Sequence, residues 1–330
     1  MSDQIRQPID PNVDPYGYMG MTKNPDGSIT RLPHPPGTPP SSDHSNPFHL
    51  TKDLDINQSK GTWARIFVPK EAFDSSFAQK LPLIIYFHGG GFVLCSVNSP
   101  VFDALYATIV TQIPAVVVSV GYRLAPEHRL PAAYDDCFEA LHWIKKSKEE
   151  WLENFADFSK AFLMGTSAGG NIAYHVGLRA STHVGDFEPL RINGLILHHP
   201  FFGGTERTES ELRLANDKVI PLAVCDLMWD FSLPLGAGRD HEYCNPTKEI
   251  KSDQFDQIKA LGWMIFVNGC DGDPLIDRQI ELWKKLEEKG VSVIGKFDEG
   301  GCHGCGLFDP HKAEELAIRM KEFVESATIS

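Results

Sequence analysis

Residues 161–179 read AFLMGTSAGGNIAYHVGLR and hold three successive elements that together predict an α/β fold. Ala161 to Met164 form an apolar run of strand length. The pentapeptide Gly165-Thr166-Ser167-Ala168-Gly169 then makes a sharp turn, and Asn171 to Arg179 continue as a helix. Between a strand and a helix, the pattern G-x-S-x-G holds its serine exposed at the tip of a cramped turn. Ser167 is therefore a candidate nucleophile, and a chance glycine-rich turn is the alternative.

Further strand-like runs lie on both sides of this segment and alternate with helical patterns. The predicted strands are Thr62 to Val68, Leu81 to Phe87, Ala115 to Val120, Leu195 to His198, Trp263 to Val267 and Val291 to Phe297. Helical spacing extends from Phe102 to Gln112, and Pro131 opens a second helix that continues through Trp143. This alternation predicts a mostly parallel central sheet with helices on both faces.

Two segments interrupt the alternation. Residues 1–50 contain ten prolines, which disfavour a regular helix or a central strand, so we expect a largely irregular arm. The segment from about residue 204 to about residue 245 is polar, could form helices and falls between two predicted strands. We expect one α/β domain at 51–330, with the arm and this insertion forming a cap that shapes a substrate pocket.

The overall composition excludes several classes of partner. The formal net charge of −13 argues against nucleic acid or an anionic membrane as a partner, because both require clustered lysine and arginine. The apolar runs are too short to span a bilayer. The first twelve residues lack a basic start followed by an apolar stretch, and seven scattered cysteines suit reduced thiols. We therefore expect a cytoplasmic protein.

The sequence HGGGF at His88 to Phe92 directly follows a predicted strand. Three successive glycines leave backbone N–H groups unobstructed. We expect the amides of Gly90 and Gly91, together with that of Ala168, to form an oxyanion hole, with Gly89 beside them. A glycine-rich bend used only for packing is the alternative.

A serine nucleophile needs a base, and a neutral imidazole suits that task near pH 7. Proteins that carry this serine turn order their three catalytic residues as serine, acid and histidine along the chain. Of 13 histidines, two follow the last predicted strand, His303 in a glycine-rich loop and His311 at the start of an amphipathic helix. Its place in the loop favours His303.

The acid must lie between Ser167 and His303, after a strand. The stretch that follows Val267 offers Asp271, Asp273 and Asp277. Asp273, which precedes Pro-Leu, is the preferred residue, Asp271 is the second choice, and Asp277 is expected to cap the next helix. The acid would fix the imidazole tautomer and stabilise the imidazolium.

Other polar patterns near these residues receive weaker interpretations. The spacing of Cys302 and Cys305 is also used in metal sites, but no second Cys/His pair at ligand spacing stands nearby in the sequence, so no metal is expected. His198 and His199 follow a strand and either line the pocket or pack against it. Candidate pocket walls, besides Gly89, are Phe92, Val93, Leu94, Val219, Ile220, Leu222 and Trp229.

Five motifs together resemble the hormone-sensitive-lipase branch of the α/β-hydrolases, and specifically the plant carboxylesterases, from about residue 50 onward. They are His88 to Phe92, Tyr122 to Glu127, Leu130 to Asp136, Gly165 to Asn171 and Asp273 to Asp277. The resemblance implies an α/β-hydrolase fold, an acid placed just before the Pro-Leu pair, and hydrolysis of short acyl esters without a cofactor. It also implies a structural role for Arg123 and Glu127, expected as buried partners, whereas Asp135 and Asp136 are expected to be solvated or capping.

Two departures from the family pattern leave the type of reaction open. Many relatives carry an acidic residue at the positions of Thr166 and Gly121. The family also includes dehydratases and cyclases of plant specialised metabolism and a gibberellin receptor, although the receptor lacks the histidine that this chain retains as His303. We expect a small-molecule ester as the substrate, with elimination or cyclisation as the alternative. Neither the natural ester nor the oligomeric state is readable from the sequence.

Overall fold

The computed structural model describes residues 10, 12–33, 36–42, 46–74, 79–251 and 253–327. The strands are β1 (Met21–Lys23), β2 (Ile29–Arg31), β3 (His49–Asn57), β4 (Thr62–Pro69), β5 (Leu81–Phe87), β6 (Val116–Val120), β7 (Ala156–Thr166), β8 (Ile192–His198), β9 (Met264–Cys270) and β10 (Ser292–Asp298). The helices are α1 (Pro15–Tyr18), α2 (Pro100–Gln112), α3 (Ala132–Lys146), α4 (Glu150–Phe155), α5 (Ala168–Ser181), α6 (Glu209–Arg213), α7 (Leu222–Ser232), α8 (Asp256–Ala260), α9 (Ile276–Glu288) and α10 (Pro310–Ala327).

Eight strands form the central sheet in the order β10-β9-β8-β7-β5-β6-β4-β3. β3 and β4, and β4 and β6, pair antiparallel, whereas the other neighbours pair parallel. The prediction of a mostly parallel α/β-hydrolase sheet is confirmed. The register aligns Phe87 with Gly165 and Asp298 with Cys270, so the turns that follow β5, β7, β9 and β10 all meet at one edge.

Helices cover both faces of the sheet because its central strands are apolar on both sides. Along β5, Leu83, Ile85 and Phe87 face the layer that contains α3, α5 and α9. Ile84 and Tyr86 face the opposite layer, which contains α2 and α10. The alternation of a strand thus distributes one continuous apolar run between two cores.

The elements differ from the predicted ones mainly near the chain start. β3 and the β1/β2 hairpin were not predicted, and β7 begins five residues before the predicted strand. The described part of the arm holds α1, β1 and β2, each of three or four residues, and the start of β3. Residues 1–9, 11, 34, 35 and 43–45 of the predicted irregular arm lie outside the described residues. Across the described ranges, no helix has the length and apolar character needed to cross a membrane.

Residues 204–245 carry α6 and α7 and contact the arm. The Tyr18 hydroxyl donates to the backbone oxygens of Lys218 at 2.5 Å and Val219 at 3.0 Å. The Tyr16 ring lies edge-on to that of Phe231, with 5.9 Å between centroids. The arm therefore contacts a segment that lies about 200 residues away in the sequence.

The expected pairing of Arg123 with Glu127 is wrong. Arg123 instead makes two side-chain hydrogen bonds, each 2.8 Å long, to Asp136, whose side chain is completely buried. Glu127 is half-exposed and pairs with Arg31 of the arm. The prediction that Asp136 is solvated or capping is wrong as well, since a buried carboxylate requires the bidentate partner that Arg123 supplies.

Candidate active site

The turn between β7 and α5 places Ser167 in a backbone conformation that few residues adopt. Its φ is +58° and its ψ is −120°. The turn is tight because the flanking glycines pack against neighbouring backbone: a Cβ on Gly165 would lie 2.1 Å from the Gly169 carbonyl, and one on Gly169 would lie 1.9 Å from the Phe87 oxygen. The Ser167 amide donates to the His198 oxygen at 2.9 Å, which holds the strained residue in place.

Three turns at this edge of the sheet bring Ser167, His303 and Asp273 into one hydrogen-bonded chain. His303 Nε2 lies 2.8 Å from Ser167 Oγ, and His303 Nδ1 lies 2.8 Å from Asp273 Oδ2. All three residues are buried. With the proton on Nδ1 donated to the carboxylate, Nε2 is free to accept the serine proton.

The Asp273 carboxylate is surrounded by donors. Oδ1 accepts from the Leu275 amide at 2.8 Å, and Oδ2 accepts from Gln279 Nε2 at 2.8 Å as well as from His303. Burial alone would raise the pKa of Asp273. The charge of His303 and the hydrogen bonds from His199 and His303 outweigh burial and hold this pKa well below its usual range, so Asp273 is ionised at neutral pH.

The other two candidate acids have structural contacts. Asp271 is exposed, and its Oδ1 accepts from the Gly300 amide at 2.5 Å, which fixes the loop that carries His303. Asp277 is not the cap of α9, contrary to the prediction. It lies in the first turn of α9, and its Oδ2 accepts from the Ser210 amide of α6 at 2.8 Å.

His199 is a second histidine on the Asp273 carboxylate. Its Nδ1 lies 2.8 Å from Asp273 Oδ2, and its ring is buried. Burial lowers the pKa of His199, but the hydrogen bonds to Asp273 and Cys305 outweigh it and raise this pKa to about 9. Sequence reasoning placed His199 near the pocket but gave it no contact with the acid. Its position after a strand, at the same edge of the sheet as Ser167, was the one available signal.

The backbone of HGGGF approaches the serine turn from the end of β5. Gly90 and Gly91 have φ values of +111° and +60°, which favour glycine. A Cβ on Gly89 would lie 3.2 Å from Ser167 Cβ. Among the described residues, none of the backbone hydrogen bonds in turns and loops is donated by the amide of Gly90, Gly91 or Ala168. These donors are therefore available to an oxyanion.

A cavity of about 260 Å³ opens beside Ser167 and His303. Besides the glycines, its lining is mainly apolar: Tyr18, Leu94, Cys95, Val101, Phe102, Phe201, Val219, Ile220, Met228, Leu307 and Phe308. Of the predicted wall residues, Gly89, Leu94, Val219 and Ile220 line it.

Phe92, Val93, Leu222 and Trp229 do not line the cavity, contrary to expectation. Phe92 is 1% exposed, and Trp229 lies behind Phe201, with 4.7 Å between nearly parallel rings. Phe92 and Trp229 thus back the wall, and Phe201, which the sequence did not single out, forms its surface.

The structure shows which atoms surround Thr166 and Gly121, the two residues that depart from the family pattern. The Thr166 hydroxyl is buried and accepts a hydrogen bond of 2.7 Å from Tyr86. A Cβ on Gly121 would lie 2.9 Å from the Trp63 oxygen and 3.0 Å from Val97. An acidic side chain at position 121 would therefore require neighbouring atoms to move.

Comparison with known proteins agrees with this architecture. Residues 84–307 match a family described by the alpha/beta hydrolase fold. The chain is 51% identical to Carboxylesterase 20 of Arabidopsis thaliana, covering 96% of this chain and 98% of that one. It is 47% identical to 3-O-acetylpapaveroxine carboxylesterase CXE2 of Papaver somniferum, covering 94% and 100%. An esterase structure from Pyrobaculum calidifontis superposes with a TM-score of 0.72 at 25% identity, over 87% of this chain and 88% of that one. The chain belongs to the α/β-hydrolase family and, within it, to the plant carboxylesterases.

Proposed function

We propose that this protein is a serine carboxylesterase in which Ser167 is the nucleophile, His303 the base and Asp273 the acid. One observation carries the assignment: the unbroken hydrogen-bonded chain Ser167 Oγ, His303 Nε2, His303 Nδ1, Asp273 Oδ2, with 2.8 Å at each contact between residues. The ester-hydrolysing relatives support it, because they match this chain over nearly its full length.

The reaction proceeds by two acyl transfers. His303 Nε2 takes the Ser167 proton while Oγ attacks the ester carbonyl carbon, and the amides of Gly90, Gly91 and Ala168 stabilise the resulting oxyanion. Collapse breaks the bond to the alkoxy oxygen, which leaves as the alcohol with the proton from His303. Water then attacks the acyl-enzyme, with His303 again as the base, and the carboxylic acid product departs. Asp273 stabilises the imidazolium in both halves.

The cavity favours a small, uncharged ester. Its lining is apolar apart from the catalytic groups, so a charged substituent would lose hydration without a partner. We assign its outer side to a cap made from the arm, through Tyr18, and from the 204–245 segment, through Val219, Ile220 and Met228. The name of the Papaver somniferum relative contains an O-acetyl group, which supports a short acyl group in the ester that this protein hydrolyses. Seven free cysteines support a cytoplasmic location.

Two other functions use only part of this site. An eliminase or cyclase needs the base and can use the amide donors to stabilise an enolate oxygen, but it does not require acylation of Ser167. A receptor requires neither the base nor the donors. The presence of both, together with the full hydrogen-bonded chain, favours hydrolysis.

The test measures turnover of short-chain p-nitrophenyl esters by the wild type, Ser167→Ala and the control Ser181→Ala, whose serine is buried at the far end of α5. We expect Ser167→Ala to lose roughly 10⁴-fold or more in kcat/KM, and Ser181→Ala to retain activity. An organophosphate should label wild-type Ser167 in intact-mass spectra. A wild type that neither hydrolyses esters nor becomes labelled rejects the proposal and directs attention to elimination or cyclisation.

A further inference from the structure

Three side chains with metal-binding atoms converge near Asp273, which His199 contacts. The imidazole of His199 and the thiols of Cys270 and Cys305 present ligand atoms that all lie within 4.8 Å of one another. His199 and Cys270 are buried, and Cys305 is half-buried. They follow β8, β9 and the His303 loop, so residues separated by up to 106 positions meet at the catalytic edge.

The fold supplies the ligands that the sequence pattern lacked. A metal interpretation of Cys302 and Cys305 fails in the sequence because no second ligand pair is near. In the structure the partner of Cys305 is Cys270, because their sulfurs lie within 4.8 Å of each other. The Cys270 thiol also donates to the Cys302 backbone oxygen at 3.5 Å. Cys302 itself is not part of the cluster.

His199 is oriented for ligation by a contact that it already makes. Nδ1 is engaged by Asp273 at 2.8 Å, which leaves Nε2 as the ring nitrogen for a metal. A histidine that binds a metal typically donates its other N–H to a carboxylate, because that bond fixes the tautomer and the ring orientation. His199 also has a φ of +46°, a strained conformation for a residue with a side chain.

The backbone leaves room above the two sulfurs. Gly301 has a φ of +84°, and a Cβ there would lie 3.1 Å from Cys270 Sγ and 3.5 Å from Cys305 Sγ. A side chain at position 301 would therefore occupy the space beside the thiols. Its absence keeps the position beside the two thiols free of a side chain.

We propose that His199 Nε2, Cys270 Sγ and Cys305 Sγ bind one thiophilic d¹⁰ cation, with Zn²⁺ as the probe. Zinc takes tetrahedral sites with sulfur at about 2.3 Å and nitrogen at about 2.0 Å, and two thiolates with one imidazole leave a fourth position for water. Binding forms two Zn–S bonds and one Zn–N bond. Two protons leave to solvent, one shared between His199 and Cys305 and one from Cys270.

In this site His199 would bind the ion through Nε2 while its Nδ1 keeps the hydrogen bond to Asp273, the proposed catalytic acid. The proposal does not depend on esterase activity, since metal binding is measured directly. An absence of ester turnover would leave it standing, and an absence of zinc binding would leave the esterase proposal standing.

The experiment titrates Zn²⁺ into the reduced, chelator-treated full-length protein and measures affinity and stoichiometry by calorimetry. The variants are Cys270→Ser, Cys305→Ser and the matched control Cys302→Ser, which alters the same loop outside the cluster. We expect one tight site in the wild type and in Cys302→Ser, and at least roughly tenfold weaker binding in the other two variants. Circular dichroism and thermal melting establish that each variant is folded.

Cobalt provides a second measurement that does not depend on affinity alone. Co²⁺ bound by Cys270 and Cys305 should give a thiolate-to-metal charge-transfer band that either cysteine variant weakens. Zinc binding that persists unchanged in both cysteine variants would assign the ion to other ligands, such as the neighbouring group His199, Asp273 and His303, and overturn the proposal. A reduced wild type that binds no zinc, or gives no cobalt–thiolate band, would do the same.

Discussion

The floor and the wall of the cavity are specified in different ways. The floor comprises Gly90, Gly91, Ser167 and His303, which line the cavity, together with Asp273 buried behind them. All five lie in turns that follow strands of one sheet. The wall comprises Tyr18, Val219, Ile220 and Met228, which come from the arm and the 204–245 segment.

Backbone geometry fixes the floor, through positive φ values and glycines that admit no Cβ. Contacts between segments some 200 residues apart fix the wall. If this distinction is correct, changes in the floor should reduce kcat, and changes in the wall should raise KM.

The largest expected effect comes from the acid in the floor. Asp273→Asn should lower kcat by roughly 10⁴-fold, because an amide in place of the carboxylate favours the wrong tautomer of His303. The matched control is Asp271→Asn in the same turn, which removes the charge but keeps an oxygen that can accept from the Gly300 amide, and it should retain kcat within about tenfold. Steady-state kinetics on a p-nitrophenyl ester would check both. An equal loss in the two variants would contradict the choice of Asp273.

The floor and the wall touch at Gly91. An alanine Cβ there would lie 2.2 Å from Met228 Sδ, and the φ of +60° is strained for any residue except glycine. Gly91→Ala should therefore displace an oxyanion donor and lower kcat by roughly 10²- to 10³-fold.

The double variant Gly91→Ala/Met228→Ala removes the clash and should recover part of this loss. Should the double variant recover nothing, the strained φ alone would account for the defect, and the contact with the wall would be irrelevant.

Ile220 tests the wall by itself. Ile220→Ala removes apolar contact with bound ester and should raise KM by roughly tenfold with little change in kcat. Leu235→Ala is the control, because Leu235 lies in the same segment but is 85% exposed. A fall in kcat without a rise in KM would mean that the wall also orients the reacting groups.

The smallest expected effect is on the free energy of unfolding and comes from His88, which precedes the glycines of the floor. His88 stacks on Tyr122 with 4.2 Å between ring centroids, and burial lowers the pKa of His88 to about 4. Between pH 4 and the unfolded pKa of about 6.5, the unfolded chain binds a proton that the folded chain does not. Stability therefore falls as the pH falls through this range.

His88→Asn should flatten that slope by up to about 1.4 kcal/mol per pH unit, as measured by urea unfolding at pH 7 and pH 5. The variant loses stacking at both pH values, so the slope is the informative quantity. An unchanged slope would show that His88 does not contribute to the acid sensitivity.

The distinction between the floor and the wall also explains which parts of the site the sequence could predict. Ser167, Asp273 and His303 could be placed together because each follows a parallel strand, and parallel strands in register end at one edge. His199 also follows a parallel strand, but that position alone does not predict its contact with a carboxylate 74 residues away. Phe92 was mistaken for a wall residue because apolar character does not show which way a side chain points. Arg123 likewise found its partner in Asp136 on a neighbouring helix, not in its own motif.

The position of β10 at the edge of the sheet has a consequence for the resistance of the enzyme to heating. Ser167 follows β7, which lies inside the sheet, whereas His303 follows β10, whose side chains are all at least partly exposed and which pairs with β9 alone. Opening of an edge strand requires less free energy than global unfolding, and its amides exchange with deuterium sooner. Such an opening removes His303 from Ser167 while the centre of the sheet stays folded. Catalysis should therefore stop at a lower temperature than that at which the bulk secondary structure melts.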